Sequence, residues 1–124
     1  MPQVLQADDT TFEVEVPLVV VGAGAAGLIA ALAAREAGVE VLVLERDAVP
    51  QGSTALSAGL IPAAGTAIQR AAGIVDDPAR FAADIAAKAE GLADPALVAL
   101  VTGAVAPAVD WLHARFGLPF TVIT

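Results

Sequence analysis

Residues 18–27 read Leu-Val-Val-Val-Gly-Ala-Gly-Ala-Ala-Gly, and what flanks these ten positions decides the fold. Leu18 to Val21 is an all-apolar run ending at glycine, as expected of a strand buried on both faces. Ala25 to Ala37 carries Leu28, Leu32 and many alanines and reads as a helix closed by Gly38. Val39 to Leu44 reads as a second buried strand ending on Glu45. A single helix crossing between two strands makes them parallel and the connection right-handed. Residues 16–45 therefore form a Rossmann-like β-α-β unit, and the fold class is α/β.

Before this unit, Thr11 to Val16 alternates, with Phe12, Val14 and Val16 on one side, which is the period of a half-exposed strand. After it, 46–65 holds Pro50, Gly52, Ser53, Thr54, Ser57, Gly59, Pro62 and Gly65. This is an irregular or weakly helical segment, of a length that compact domains usually keep for function. The remainder, 77–117, reads as helical. Asp77-Pro78 starts a helix to about Ala89, with Phe81 and Ile85 on one face. Asp94-Pro95 starts a second, with Gly103 as its expected stop. A third runs from about Val105 to Phe116 with Val109, Leu112 and Phe116 facing a core, and Gly117 and Pro119 end it. Phe120 to Thr124 begins another expected strand.

Over 124 residues, 57% are hydrophobic and 16% charged, which excludes a disordered chain. Alanine is about a quarter of the total and favours helices. A net charge of -8 repels polyanions, so nucleic acid is not an expected partner. With no cysteine and one histidine, His113, there are neither thiolate metal sites nor clustered ligands. The acidic pairs Asp8-Asp9 and Asp76-Asp77 read as exposed turn acids, Asp77 as a helix cap. The uncharged stretch Val16–Ala34 is long enough to pass for a membrane span or a signal-peptide core. Its flanks argue otherwise: Asp8, Asp9, Glu13 and Glu15 precede it without Lys or Arg, and three glycines interrupt it. No membrane span is expected, and the expected location is the cytoplasm.

The pattern Gly22-x-Gly24-x-x-Gly27 is weak alone. Here it lies between a predicted strand and a predicted helix, with an acid, Glu45, 18 residues after Gly27. Gly22 would allow the tight turn, Gly24 the approach of a pyrophosphate, and Gly27 close packing of helix on strand. Ala25 and Ala26 open the helix, whose free N–H groups and partial positive charge suit phosphates. Glu45 can accept hydrogen bonds from an adenosine ribose and would repel a 2′-phosphate. Dinucleotide binding follows. The spacing does not choose between FAD and NAD, but the hydroxyl-rich run Gln51-Gly52-Ser53-Thr54-Ala55-Leu56-Ser57-Ala58-Gly59 suits a cofactor that continues past its phosphates.

Val-Val-Val-Gly-Ala-Gly-Ala-Ala-Gly at 19–27, Leu-Glu-Arg at 44–46 and Gly-Ser-Thr-Ala-Leu-Ser-Ala-Gly at 52–59, in that order, resemble the FAD-dependent fumarate reductase/succinate dehydrogenase flavoprotein family and its ketosteroid-dehydrogenase-like relatives. Pro62-Ala63-Ala64-Gly65-Thr66, Gln69 and Ala71-Ala72-Gly73-Ile74 resemble one branch of it. The resemblance implies that Gly22, Gly24 and Gly27 cradle the FAD pyrophosphate, that Glu45 binds the ribose and that Arg46 lies beside the adenine end. It implies further that Ser53 and Thr54, after Gly52, contact the phosphates or ribityl chain, and that Ser57, Ala58 and Gly59 run toward the flavin ring. Gln51 stands where many members have a second glycine. Some members attach FAD through histidine; none lies in this loop, so a non-covalent flavin is expected.

Members of that family are several times longer, and the parts that bind substrate and carry the proton-donating arginine of fumarate reductases lie outside these residues. The resemblance thus implies an incomplete domain of an oxidoreductase that moves a hydride at a C–C/C=C bond. Its partners would be a small-molecule substrate and a completing polypeptide for a sheet of so few strands. Arg35, Arg70, Arg80 and Arg115 are expected at the surface, and Trp111 and His113 as packing residues. A hydrolase reading, with Ser57 in a nucleophile elbow, lacks the strand that must precede the serine.

Overall fold

The structure, a computed structural model, describes residues 11–123. The chain divides between Leu60 and Ile61 into two compact units.

The first unit holds β1 (Leu18–Val21), α1 (Ala25–Glu36), β2 (Val41–Leu44) and the short α2 (Ser53–Leu56). The strands pair in parallel, Leu18 with Val41 through Val21 with Leu44, and α1 packs on both. The β-α-β unit is present as expected. β2 starts two residues later than the sequence pattern places it, because the Val39 N–H is still bonded to the Ala34 carbonyl in the turn that ends α1. Gly38, at φ +77°, makes that turn.

The strands are not buried on both faces. Val20 faces α1, where it approaches Gly27. Val19, Val21, Leu42 and Leu44 point the other way and are exposed, Val21 to 84%. One helix covers one face, and nothing among the described residues of this unit covers the second. Thr11–Val16 is also not a strand: Phe12 and Val14 are exposed and no ladder forms there. Alternation alone leaves backbone groups unpaired, and Pro17 can add no N–H to a ladder. Residues 16–34 resolve into a chain segment, β1, a turn and α1 rather than one continuous helix. Asp8 and Asp9 lie outside the described residues.

The second unit contains α3 (Ala67–Ala71), α4 (Pro78–Lys88) and α5 (Pro95–Phe116). Thr66 caps α3 through a capping box with Gln69. Asp77 caps α4, its Oδ1 accepting from Ala79 and Arg80 at 2.8 and 2.9 Å. Asp94 does the same for α5 toward Ala96 and Leu97. On α5, Asp110 accepts the Ala67 N–H with both carboxylate oxygens, at 2.9 and 3.1 Å, and meets the Arg70 guanidinium at 3.6 Å. Arg70 also donates to the Gly65 carbonyl. Between these anchors Ala64 and Thr66 are among the most buried residues of the chain.

The expected break at Gly103 is absent: the second and third predicted helices are one helix of 22 residues, with Pro107 inside it. Its buried stripe, Thr102, Ala106, Val109 and Leu112, crosses the break without losing helical spacing, and packing against α4 outweighs the two poor helix formers. By length and composition α5 could cross a membrane, a property it shares with the core helices of soluble proteins. Gly117, at φ +68°, ends it, and His113 Nδ1 lies 2.8 Å from the carbonyl of Leu118 in the chain that leaves the helix. Trp111 packs edge-on against Phe116 with ring centres 5.0 Å apart. Phe120–Ile123 forms no strand, and Thr124 lies outside the described residues.

Candidate nucleotide-binding site

The three glycines of the turn have three different causes. Gly22 sits at φ +99°, which only glycine adopts readily. Gly27 is fixed by packing: a β-carbon there would lie 2.1 Å from the Gly22 carbonyl oxygen and 3.0 Å from Val20. Gly24 has neither reason. Its φ of −77° and ψ of 178° suit any residue, and a β-carbon would meet only Thr54 Oγ1, at an ordinary 3.5 Å. Nothing among the described residues asks for glycine at 24.

The start of α1 has no cap from its own residues. Gly24 is the N-cap of α1 and offers no side-chain cap, and no acid stands in the first turn. The positive end of the helix dipole therefore stays uncompensated by its own residues, whereas α4 and α5 both begin under an aspartate. Two groups from later in the chain come to the turn. Glu45 Oε2 accepts the Ala23 N–H at 2.8 Å while Oε1 accepts the Asp47 N–H at 3.2 Å. Thr54 Oγ1 accepts the Ala25 N–H at 3.0 Å.

The bonds to Glu45, first that from Ala23 and then that from Asp47, hold its carboxyl below the usual carboxylate value, so it is ionised at neutral pH. A carboxylate has about four lone-pair positions, and these two bonds leave the others for hydroxyls. A helix start without a cap from its own residues, a glycine with no cause among the described residues and an ionised acid at the end of β2 together fit a dinucleotide-binding turn.

Other expected site residues take local roles. The Arg46 guanidinium turns outward onto Asp47, at 3.2 Å. Ser57 follows the helical turn α2; its Oγ donates to the Thr54 carbonyl at 2.8 Å and accepts the Gly59 N–H at 3.2 Å. A serine after a helix is not a nucleophile elbow, and the hydrolase reading fails on this order. Gly52 caps α2, Ser53 opens it, and Gly52, Ser53, Ala58 and Gly59 are exposed. Ala26 stands exposed in the first turn of α1. Sequence reasoning missed the partners of Glu45 and the bond between Thr54 and Ala25. Asp47, two residues beyond the acid, was a weak sign of the first, and nothing local announces the second.

The sequence profile of the FAD binding domain family matches residues 18–122. The chain is 37% identical over 99 residues to the fumarate reductase (cytochrome) of Shewanella frigidimarina, covering 80% of this chain and 17% of that protein. It is 38% identical over 104 residues to the urocanate reductase of Eggerthella lenta, covering 84% and 17%. Among solved structures, the 3-ketosteroid-Δ4-(5α)-dehydrogenase of Rhodococcus jostii RHA1, in complex with 4-androstene-3,17-dione, matches with a TM-score of 0.80 and 34% identity over 93% of this chain and 24% of that one.

The chain belongs to the FAD-dependent, fumarate reductase-like flavoprotein family, and its cofactor is FAD. It spans about a sixth of the length of these curated relatives.

Proposed function

We propose that these residues are the FAD-holding segment of an oxidoreductase that interconverts a C–C single bond and a C=C bond. FAD, when bound, supplies hydride transfer at the flavin ring. The chain's own residues do the holding. The turn at Gly22–Gly27 and the start of α1 take the pyrophosphate, Glu45 takes the ribose hydroxyls, and the 52–59 loop lines the path toward the flavin. The observation that carries this reading is Gly24, whose missing side chain has no cause among the described residues. The reaction class is supported by the names of the relatives: fumarate and urocanate each carry a C=C bond conjugated to a carboxyl group. The ketosteroid dehydrogenase supports a steroid-like ketone as the alternative substrate class. Attachment is non-covalent, since 46–65 contains no histidine. Turnover requires a further polypeptide segment that brings the substrate site.

The purified chain titrated with FAD and with NAD in parallel, followed by flavin absorbance and fluorescence, tests this reading. The expected result is one FAD per chain, released intact when the protein is precipitated with acid. Folded chain that binds NAD and ignores FAD would overturn it.

A further inference from the structure

Polar groups, not buried side chains, hold α3 in place. None of the five side chains of this helix is buried. Thr66 and Gln69 satisfy each other at its start: the Thr66 N–H donates to Gln69 Oε1 at 2.9 Å, and the Gln69 N–H to Thr66 Oγ1 at 3.1 Å. Ala67 opens the helix, so its N–H has no partner within it. Asp110 supplies one from α5, 43 residues later, with both carboxylate oxygens. The Arg70 guanidinium closes the arrangement, donating to the Gly65 carbonyl and facing Asp110. That ion pair adds little, because its side chains are 63% and 28% exposed. The bonds to Ala67 matter more. Hydrogen bonds are directional where apolar contact is not, so they fix the backbone at 64–67 in one place. Ala64 and Thr66, at 1% and 5% exposure, mark how firmly that stretch is seated.

Residues 60–63 alone separate Gly59, the end of the flavin-side loop, from Ala64. No described helix or strand lies among them, and Leu60 and Ile61 are exposed. The clasp on Ala67 is therefore the first fixed point of the chain after the loop.

We infer that Asp110 is a positioning residue for the flavin: by clasping the Ala67 N–H it fixes where the chain arrives from the flavin-side loop. The inference rests on the FAD reading above and adds to it a residue that touches no cofactor. Asp110 acts through the backbone of 60–67, so its loss loosens one end of the loop and leaves the glycine turn as it is. FAD, whose ring the loop approaches, should then depend on Asp110. ADP, which carries the pyrophosphate without a flavin, should not.

The test compares the full chain with Asp110→Ala, which removes both acceptors, and Asp110→Asn, which keeps one carbonyl oxygen for the Ala67 N–H. Three readouts are taken: dissociation constants for FAD and ADP, fluorescence of the bound flavin, and hydrogen exchange at the Ala67 amide in nucleotide-free protein. In D110A, Ala67 should exchange about tenfold faster and FAD should bind about fivefold more weakly, its fluorescence moving toward that of free flavin, with ADP affinity unchanged. D110N should stay within about twofold of wild type on each affinity and on exchange. Unchanged Ala67 exchange in D110A overturns the clasp. Faster exchange with unchanged FAD binding and flavin fluorescence overturns the positioning role and leaves a bond that serves α3 alone. Equal weakening of FAD and ADP, or a D110A chain that loses its helical circular dichroism, overturns it as well, since Asp110 then supports the fold as a whole. A wild-type chain that binds neither nucleotide sinks the FAD reading and the inference with it, before any variant is compared.

Discussion

A single missing methyl group separates two kinds of glycine in this turn, and the separation can be measured. At Gly27 an added β-carbon overlaps the Gly22 carbonyl, so Gly27→Ala must push α1 away from β1. A cost of about 3 kcal/mol is expected, read as a fall in the unfolding midpoint. At Gly24 the same methyl group has room in the protein, so Gly24→Ala should unfold within about 0.5 kcal/mol of wild type. Its effect should fall on nucleotide affinity instead, lowered by tenfold or more. Equal loss of stability in both variants would show that Gly24 serves the fold, and the ligand argument would fail. The sequence displays all three glycines alike, because spacing reports position and not cause. Cause needs the backbone angle and the neighbouring atoms. The same limit hides the Thr54–Ala25 bond, a tertiary contact between stretches whose local patterns are independent.

Helices and strands were readable from sequence where local rules decide them. Asp77-Pro78 and Asp94-Pro95 are self-contained helix starts, with a carboxylate for the first free N–H groups and a ring where no N–H is needed. Both helices begin where the dipeptides say. The errors arose where packing overrode a local sign. Gly103 and Pro107 are both helix-breaking residues, yet α5 runs through them because its buried stripe continues. Thr11–Val16 has the period of a strand but no neighbouring ladder to complete it. A continuous α5 makes a specific demand. Pro107 has no N–H for the carbonyl four residues earlier, that of Gly103, so the helix carries one lost bond in its interior. Pro107→Ala supplies the donor and removes the ring. Thermal unfolding of the variant should show a gain of about 1 kcal/mol or more. A helix broken at Gly103 would have little to gain, and an unchanged midpoint would restore the two-helix reading.

Across the molecule, the sequence shows how much must be buried but not what buries it. A chain that is 57% hydrophobic leaves Val19, Val21, Leu42 and Leu44 exposed on one face of a two-stranded sheet. The apolar runs looked like strands covered on both sides because that is how such runs read in a complete parallel sheet. The first cover is α1; the second is not among the described residues of its unit. Both sheet edges also offer unpaired backbone groups, as a two-stranded sheet must. A solution of this chain alone should therefore associate, and sedimentation velocity should show the average mass rising with concentration. Val19 and Leu42 face each other in register on the open side, one step back from the pair that leads into Gly22 and Glu45. Replacing both with threonine puts the β-branched shape that strands favour at each position and makes the face polar without touching the glycine turn. The double variant should remain monomeric at concentrations where wild type associates, with FAD affinity unchanged. If association persists undiminished while FAD still binds, the strand edges and not the apolar face hold the copies together. Whatever meets this sheet would then pair with it as an added strand rather than pack on it as a covering layer.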